Sequence, residues 1–271
     1  MNIKGKAAVI TGAAGGIGRA VAIELAKRGV GHIALVDKTE AVHTLAIEVN
    51  NQTGASTATG YTGDVTDDTF RGWVYEDMHE KHGIVQICVP AAGITRDGLS
   101  VKYDKQSDRV VIYPIKTYRL VTEINLIAPV YWALEMVAGI ADHRRKHGLK
   151  RWEPSEGMMG SVIFIGSVAS VGNKGQISYS ATKAGLEGAA STLTAEAIYH
   201  GVRCGVIHPG FTDTPMVRAL GEDFIQQNII PQTQLRRLIM PEEIADAICF
   251  MISNAAISGS LWADAGWRPA A

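Results

Sequence analysis

The sequence predicts an α/β fold: a doubly wound parallel sheet of about seven strands with helices on both faces, forming a single domain over 1–271. Two observations predict it. Short apolar runs alternate with helical patterns of roughly ten or more residues, the order that a parallel sheet requires. The residues with chemical character lie just beyond the ends of the apolar runs, where such a sheet binds ligands. With 271 residues, 46% of them apolar, the chain is long enough for a substantial core. Its net charge of −1 leaves neither sign in surplus, which argues against nucleic acid or an anionic membrane as a partner. No apolar run approaches ~20 residues, and Met1-Asn2-Ile3-Lys4 leads directly into a strand, so neither a membrane span nor a signal peptide is expected. Cys88, Cys204 and Cys249 are far apart among apolar neighbours. They read as buried thiols of a reducing, cytoplasmic compartment, and no metal spacing is present.

Lys6 to Thr11 is a short strand that runs into Gly12-Ala-Ala-Gly-Gly16-Ile17-Gly18. Helical periodicity follows, with Ile17, Val21 and Leu25 one turn apart and Gly29 as a stop. A glycine turn between strand and helix lets backbone N–H groups approach a pyrophosphate, which also meets the positive end of the helix. The strand His32 to Val36 ends in Asp37, an acid placed to take both hydroxyls of an adenosine ribose. The plainer alternative for Asp37 is a helix N-cap. A helix over 39–51, a strand over 56–61, Gly63-Asp64-Val65 and a helix over 67–82 come next. The strand Ile84 to Val89 then ends in Pro90-Ala91-Ala92-Gly93.

The strand Ser161 to Gly166 leads through a Gly-, Ser- and Asn-rich loop into a helix that begins near Ile177. Tyr179 and Lys183, four apart, share one face of that helix, and Ser167 can fold back to the same spot. An ammonium beside a phenol favours the phenolate, so this pair can donate and accept a proton near neutral pH, with Ser167 as a second hydroxyl. Alone, the pattern would more readily describe a surface tyrosine; the glycine turn and Asp37 reverse that reading. The helix continues to His200 with small residues at Ala181, Ala184, Gly185, Gly188, Ala189 and Ala190. Strands over 202–207 and 260–264 complete the sheet. His208 reads as structural.

With Thr11-Gly-x-x-x-Gly-x-Gly18, Asp64, Ser167, Tyr179 and Lys183 in order, the chain resembles the short-chain dehydrogenase/reductase family, and within it most the β-ketoacyl-acyl carrier protein reductase branch. The resemblance implies a Rossmann-type fold and hydride transfer between a nicotinamide and a carbonyl or alcohol, of a small molecule or an acyl thioester. Asn125, Ser167, Tyr179 and Lys183 match the family's catalytic set. Asn125 would position a relay water and Lys183 would lower the tyrosine pKa. Gly12, Gly16, Ile17 and Gly18 match its phosphate turn. Asp37, Asp64, Val65, Ala92 and Gly93 match its adenosine side and the adjoining strand end. Pro209, Gly210, Thr212 and Thr214 match its nicotinamide-side loop, while Tyr179 and Lys183 would also touch the cofactor. Asp37 favours NAD over NADP, since a 2′-phosphate would meet a like charge, and Lys38 is the cation that could oppose this. The small-residue helix implies pairing between subunits in a homotetramer, and 211–240 would be a lid over the substrate.

The chain departs from that family in two ways. Pro90-Ala91-Ala92-Gly93 lacks the usual asparagine, so the strand end should be less firmly braced. Extra residues fall between Arg96 and Asn125, where 98–115 reads as a hairpin, and between Asp142 and Gly160, where the basic run from Arg144 to Arg151 reads as a solvated helix end. The hairpin should pack one face on the body or on another subunit. Two other functions compete: a cofactor-sensing protein that has lost catalysis, and a sugar-nucleotide epimerase or dehydratase. The first should lack a catalytic residue, and the second needs a larger substrate domain.

Overall fold

In the computed structural model, which describes residues 1–267, seven parallel strands form one sheet. The last four residues of the expected 1–271 domain lie outside the described residues. Strands β1 (Ala7–Thr11), β2 (His32–Asp37), β3 (Ala58–Thr62) and β4 (Val85–Pro90) alternate with helices α1 (Gly16–Lys27), α2 (Ala41–Thr53) and α3 (Asp68–His82). An antiparallel hairpin follows, β5 (Val101–Asp104) and β6 (Arg109–Ile112). Helix α4 (Ile115–Thr122) then runs through a π turn at Glu123–Ile127 into α5 (Ala128–Lys146). The second half comprises β7 (Gly160–Ile165), α6 (Ile177–Ala197), β8 (Val202–Pro209), the short helices α7 (Pro215–Arg218) and α8 (Glu222–Phe224), α9 (Pro241–Ser253) and β9 (Gly259–Ala263).

The strand order is β3-β2-β1-β4-β7-β8-β9, so the chain winds outward from β1 in one direction and from β4 in the other. That reversal opens a crevice at the carboxyl ends of β1 and β4. Register sets the level of the crevice: Thr11 pairs with Val36 on one side and with Pro90 on the other. The glycine turn, Asp37 and Ala91 therefore leave the sheet side by side.

Both faces of β1 are buried because successive side chains alternate across the sheet. Ala8 and Ile10 join a core with Val21 and Leu25 of α1 and Ile244 and Ile248 of α9. Ala7 and Val9 join the opposite core, with Tyr75 of α3, Trp132 and Met136 of α5 and Leu186 of α6.

Three expectations need correction. Helix α6 stops at Ala197, and a 3-10 turn over Ile198–His200 replaces its last turn before Gly201, which adopts a φ of 77°. Arg144 is not solvated. It is buried, with its guanidinium 2.6 Å from the Glu156 carboxylate and 2.7 Å from the Lys150 carbonyl, because the segment after α5 folds back over it. Finally, α4, the π turn and α5 make one helix of 32 residues with a mean hydropathy of 1.5 in its most apolar window. By length and composition alone it could cross a membrane, although the sequence suggested no such run. Trp132, Met136 and Ile140 on this helix are fully buried against the sheet, the arrangement of a core helix.

Candidate active site

The glycine turn is shaped by close approach. Gly12 has a φ of +64°, and a Cβ there would lie 2.7 Å from the Ala92 nitrogen. A Cβ on Gly18 would lie 2.3 Å from the Gly12 carbonyl oxygen. Gly15, in contrast, faces open space and caps α1 without a side-chain hydrogen bond, and the first turn of α1 carries no acid. The uncapped amides at the positive end of α1 thus suit a pyrophosphate, and the residues present fit a dinucleotide. Ile17 packs half-buried against the core beneath.

Asp37 ties this turn to β2. One carboxylate oxygen accepts from the Ala14 amide at 3.1 Å, and the other accepts from the Thr39 amide and hydroxyl, each at 3.1 Å. The N-cap of α2 is Glu40, not Asp37. Asp64 lies exposed beyond β3, where its carboxylate accepts from the Thr66 amide at 2.9 Å, and the Val65 carbonyl accepts from the Trp132 indole at 2.9 Å.

The end of β4 is braced in spite of its missing asparagine. The Ala92 amide donates to the Thr11 hydroxyl at 3.2 Å and the Ala91 amide to the Thr11 carbonyl at 3.1 Å. Asn125, fully buried in the π turn, accepts from the Ile94 amide at 2.9 Å and donates to the Ile94 carbonyl at 2.8 Å. Its side chain therefore holds the loop after β4. The absent Cβ of Gly93 leaves a space 3.5 Å from the Asn125 oxygen and 3.7 Å from the Lys183 ammonium.

On the other side, Gly210 leaves β8 after Pro209, where a Cβ would lie 2.7 Å from the Asp264 carbonyl. Thr214 packs across the glycine turn, its methyl 3.1 Å from the place a Gly16 Cβ would take, and its hydroxyl caps α7. Thr212 is buried, and its hydroxyl donates to the Gly210 carbonyl at 3.1 Å, inside the loop.

The three candidate catalytic groups meet between β7 and α6. Ser167 begins a 3-10 turn, and its oxygen accepts from the Ala169 amide at 3.1 Å. Lys183 donates to the Ile165 carbonyl at 2.7 Å, and its ammonium lies 5.5 Å from the centre of the Tyr179 ring. Burial pushes the Lys183 pKa down to about 8. Burial also raises the Tyr179 pKa; a hydrogen bond from Ser167 opposes this, and the nearby Asp97 carboxylate adds to it. The net shift is upward, opposite to the lowering the sequence suggested, and the phenol keeps its proton at neutral pH. His208, fully buried, backs this corner: its Nδ1 lies 3.1 Å from the Ser167 carbonyl and its ring stacks on Trp262 at 4.2 Å.

Four contributors escaped sequence reasoning: the Thr11 side chain, Asp97, and the Tyr113 and Ser178 hydroxyls, which meet at 3.0 Å beside Tyr179. Only the first carried a signal, as the threonine next to the glycine turn. Among the described residues, no group of three or more His, Cys, Asp or Glu could hold a metal ion.

Known proteins resemble this chain in sequence and in fold. The family model for short chain dehydrogenases matches residues 6–224. The chain is 35% identical to the 3-oxoacyl-[acyl-carrier-protein] reductase FabG of Escherichia coli K12, over 94% of this chain and 93% of that protein. It is 31% identical to the (3R)-3-hydroxyacyl-CoA dehydrogenase of the dog, over 94% and 92% of the two chains. Among solved structures, one described as a ribose-5-phosphate isomerase from Brucella melitensis superposes with a TM-score of 0.78 at 25% identity, covering 98% of this chain and 93% of that one. A second, gox2181, gives a TM-score of 0.79 at 23% identity, with 98% and 96% covered. The match of family model and relatives along the chain assigns it to the short chain dehydrogenase family, as an oxidoreductase that works with a nicotinamide cofactor.

Proposed function

We propose that this oxidoreductase interconverts 3-oxoacyl and 3-hydroxyacyl thioesters with NAD(H), and that Asn125, Ser167, Tyr179 and Lys183 carry the reaction. The observation that carries the reading is the meeting of Ser167, Tyr179 and Lys183 at the end of β7, opposite Gly93. The names of the 3-oxoacyl reductase and 3-hydroxyacyl-CoA dehydrogenase relatives support the substrate class.

The bound nicotinamide supplies or accepts the hydride at the substrate carbon. The glycine turn and the start of α1 would hold its pyrophosphate, and Asp37 would take the adenosine ribose. In reduction, the Tyr179 phenol gives its proton to the substrate oxygen as that oxygen gains charge. The Ser167 hydroxyl, which accepts from Ala169 and donates to Tyr179 before substrate binds, would turn its proton to the same oxygen. Lys183, held by Ile165, stays beside Tyr179 as a cation that stabilises the tyrosinate left behind. Asn125 keeps the loop at Gly93 and Ile94 in place. In oxidation the same proton returns to Tyr179.

NAD is favoured because the Asp37 carboxylate stands beside the turn and no cation occupies Gly15. All three cysteines are free and buried, with thiols pushed up to about 12, which suits a reducing compartment such as the cytoplasm. The chain assembles as a homotetramer through α5 and α6, which leave Tyr131 and Leu134 exposed beside a groove along Gly188 and Ala189. The test is turnover of a 3-oxoacyl thioester with NADH and with NADPH, followed by nicotinamide absorbance. Activity only with ketones that carry no thioester would overturn the substrate assignment.

A further inference from the structure

The β5–β6 hairpin has two unlike faces. Pairing of Val101 with Ile112 and of Tyr103 with Val110 puts these four on one exposed face, whereas Lys102 pairs with Val111 on the other. Lys102 and Val111 line a cleft of about 550 Å³, across from Arg96, Asp97 and Leu99 in the segment after β4.

This wall is fastened to the catalytic helix. The Tyr113 hydroxyl donates to the Arg96 carbonyl at 2.5 Å, which spends its proton, so the Ser178 hydroxyl 3.0 Å away donates to Tyr113. Ser178 is buried and immediately precedes Tyr179. The Gly98 amide donates to the Gly175 carbonyl at 2.8 Å, and Gln176 donates to the Asp97 carboxylate at 2.9 Å. The cleft therefore adjoins the start of α6, and the Asp97 charge is felt at Tyr179.

The charges in the cleft are unbalanced. Arg96 and Lys102 form no ion pair among the described residues, and the two cations face a single acid, Asp97, which is hydrogen-bonded by Gln176. A substrate with an anionic group beyond an apolar chain would complete this lining.

We propose that the hairpin is the specificity wall of the substrate cleft. Lys102 and Arg96 hold an anionic group on the thiol side of the substrate, Leu99 and Val111 flank the chain between, and Tyr113 is the positioning residue that fixes the wall to α6. The proposal rests on the thioester reading above.

Two substrates with the same 3-oxoacyl group separate its parts: a phosphopantetheine thioester and the uncharged pantetheine thioester. The intact protein should prefer the phosphorylated one in kcat/KM, through KM, and salt should shrink the preference. Lys102→Glu, a change at an exposed position, should cut that ratio by about fivefold or more, the scale of one partly screened ion pair. Tyr113→Phe keeps the ring and should also lower the ratio, while Tyr113→His, which retains a hydrogen-bonding edge, should restore part of it. Turnover of both thioesters with the ratio unmoved by Lys102→Glu overturns this proposal alone. Turnover of neither overturns the thioester reading and this proposal with it.

Discussion

Lys183 donates to the carbonyl oxygen of Ile165 at 2.7 Å, which fastens the catalytic helix to the end of β7. The contact holds a cation that is only 5% exposed beside Tyr179. Burial lowers the Lys183 pKa from its ordinary 10.5 to about 8, so the folded protein releases this proton before the unfolded chain does. Below pH about 8 both states carry the charge and the cost of burying it is complete, roughly 3 kcal/mol at about 1.4 kcal/mol per pKa unit. Between about 8 and 10.5 the unfolded chain binds more protons, so stability rises with pH. Urea unfolding of the protein and of Lys183→Met across that window should show the wild type gaining on the variant. A gap independent of pH would mean that Lys183 is not buried as a cation.

Tyr179→Phe removes the proton donor and should cut turnover at least ~100-fold. Cofactor affinity, read by titration of protein fluorescence, should survive, because the glycine turn and Asp37 remain. Near-normal turnover would remove Tyr179 from the mechanism. The raised pKa of Tyr179 also sets a direction: in the reductive reaction the phenol should stay competent through neutral pH and fail only at alkaline pH.

Asp37→Ser should shift cofactor choice. A 2′-phosphate beside the Asp37 carboxylate brings like charges together, and every ~1.4 kcal/mol relieved is a tenfold change. The NADPH to NADH ratio of kcat/KM should rise about tenfold or more in the variant. A wild-type preference for NADPH would show that Lys38 outweighs Asp37.

Thr11→Val deletes the acceptor for the Ala92 amide while keeping the side-chain volume. Leaving that donor without a partner should cost about 1–3 kcal/mol in unfolding free energy and raise KM for the cofactor. Equal stability and an unaltered KM would show that Thr11 does not brace the strand end.

The apolar strip along α5 and α6 should place the protein in a tetramer. Sedimentation at micromolar concentration should give a mass about four times the 29.0 kDa chain. A monomer there would refute the assembly.

The sequence by itself determined the sheet, the crevice and the chemistry-bearing groups. Alternating apolar runs specify a parallel sheet, and a glycine turn between strand and helix specifies an anion site, because these signals are local. The spacing of Tyr179 and Lys183 likewise needs only the period of a helix. Only the tertiary structure decided what holds those groups still and how they ionise. Thr11 meets Ala92, Asn125 meets Ile94 and Tyr113 meets Ser178 across separations of 81, 31 and 65 residues, pairings that no local pattern encodes. Arg144 looked solvated in a basic run until the fold buried it against Glu156. The Tyr179 pKa moves upward because desolvation is a property of everything packed around the ring, and it outweighs the Ser167 hydrogen bond that opposes it.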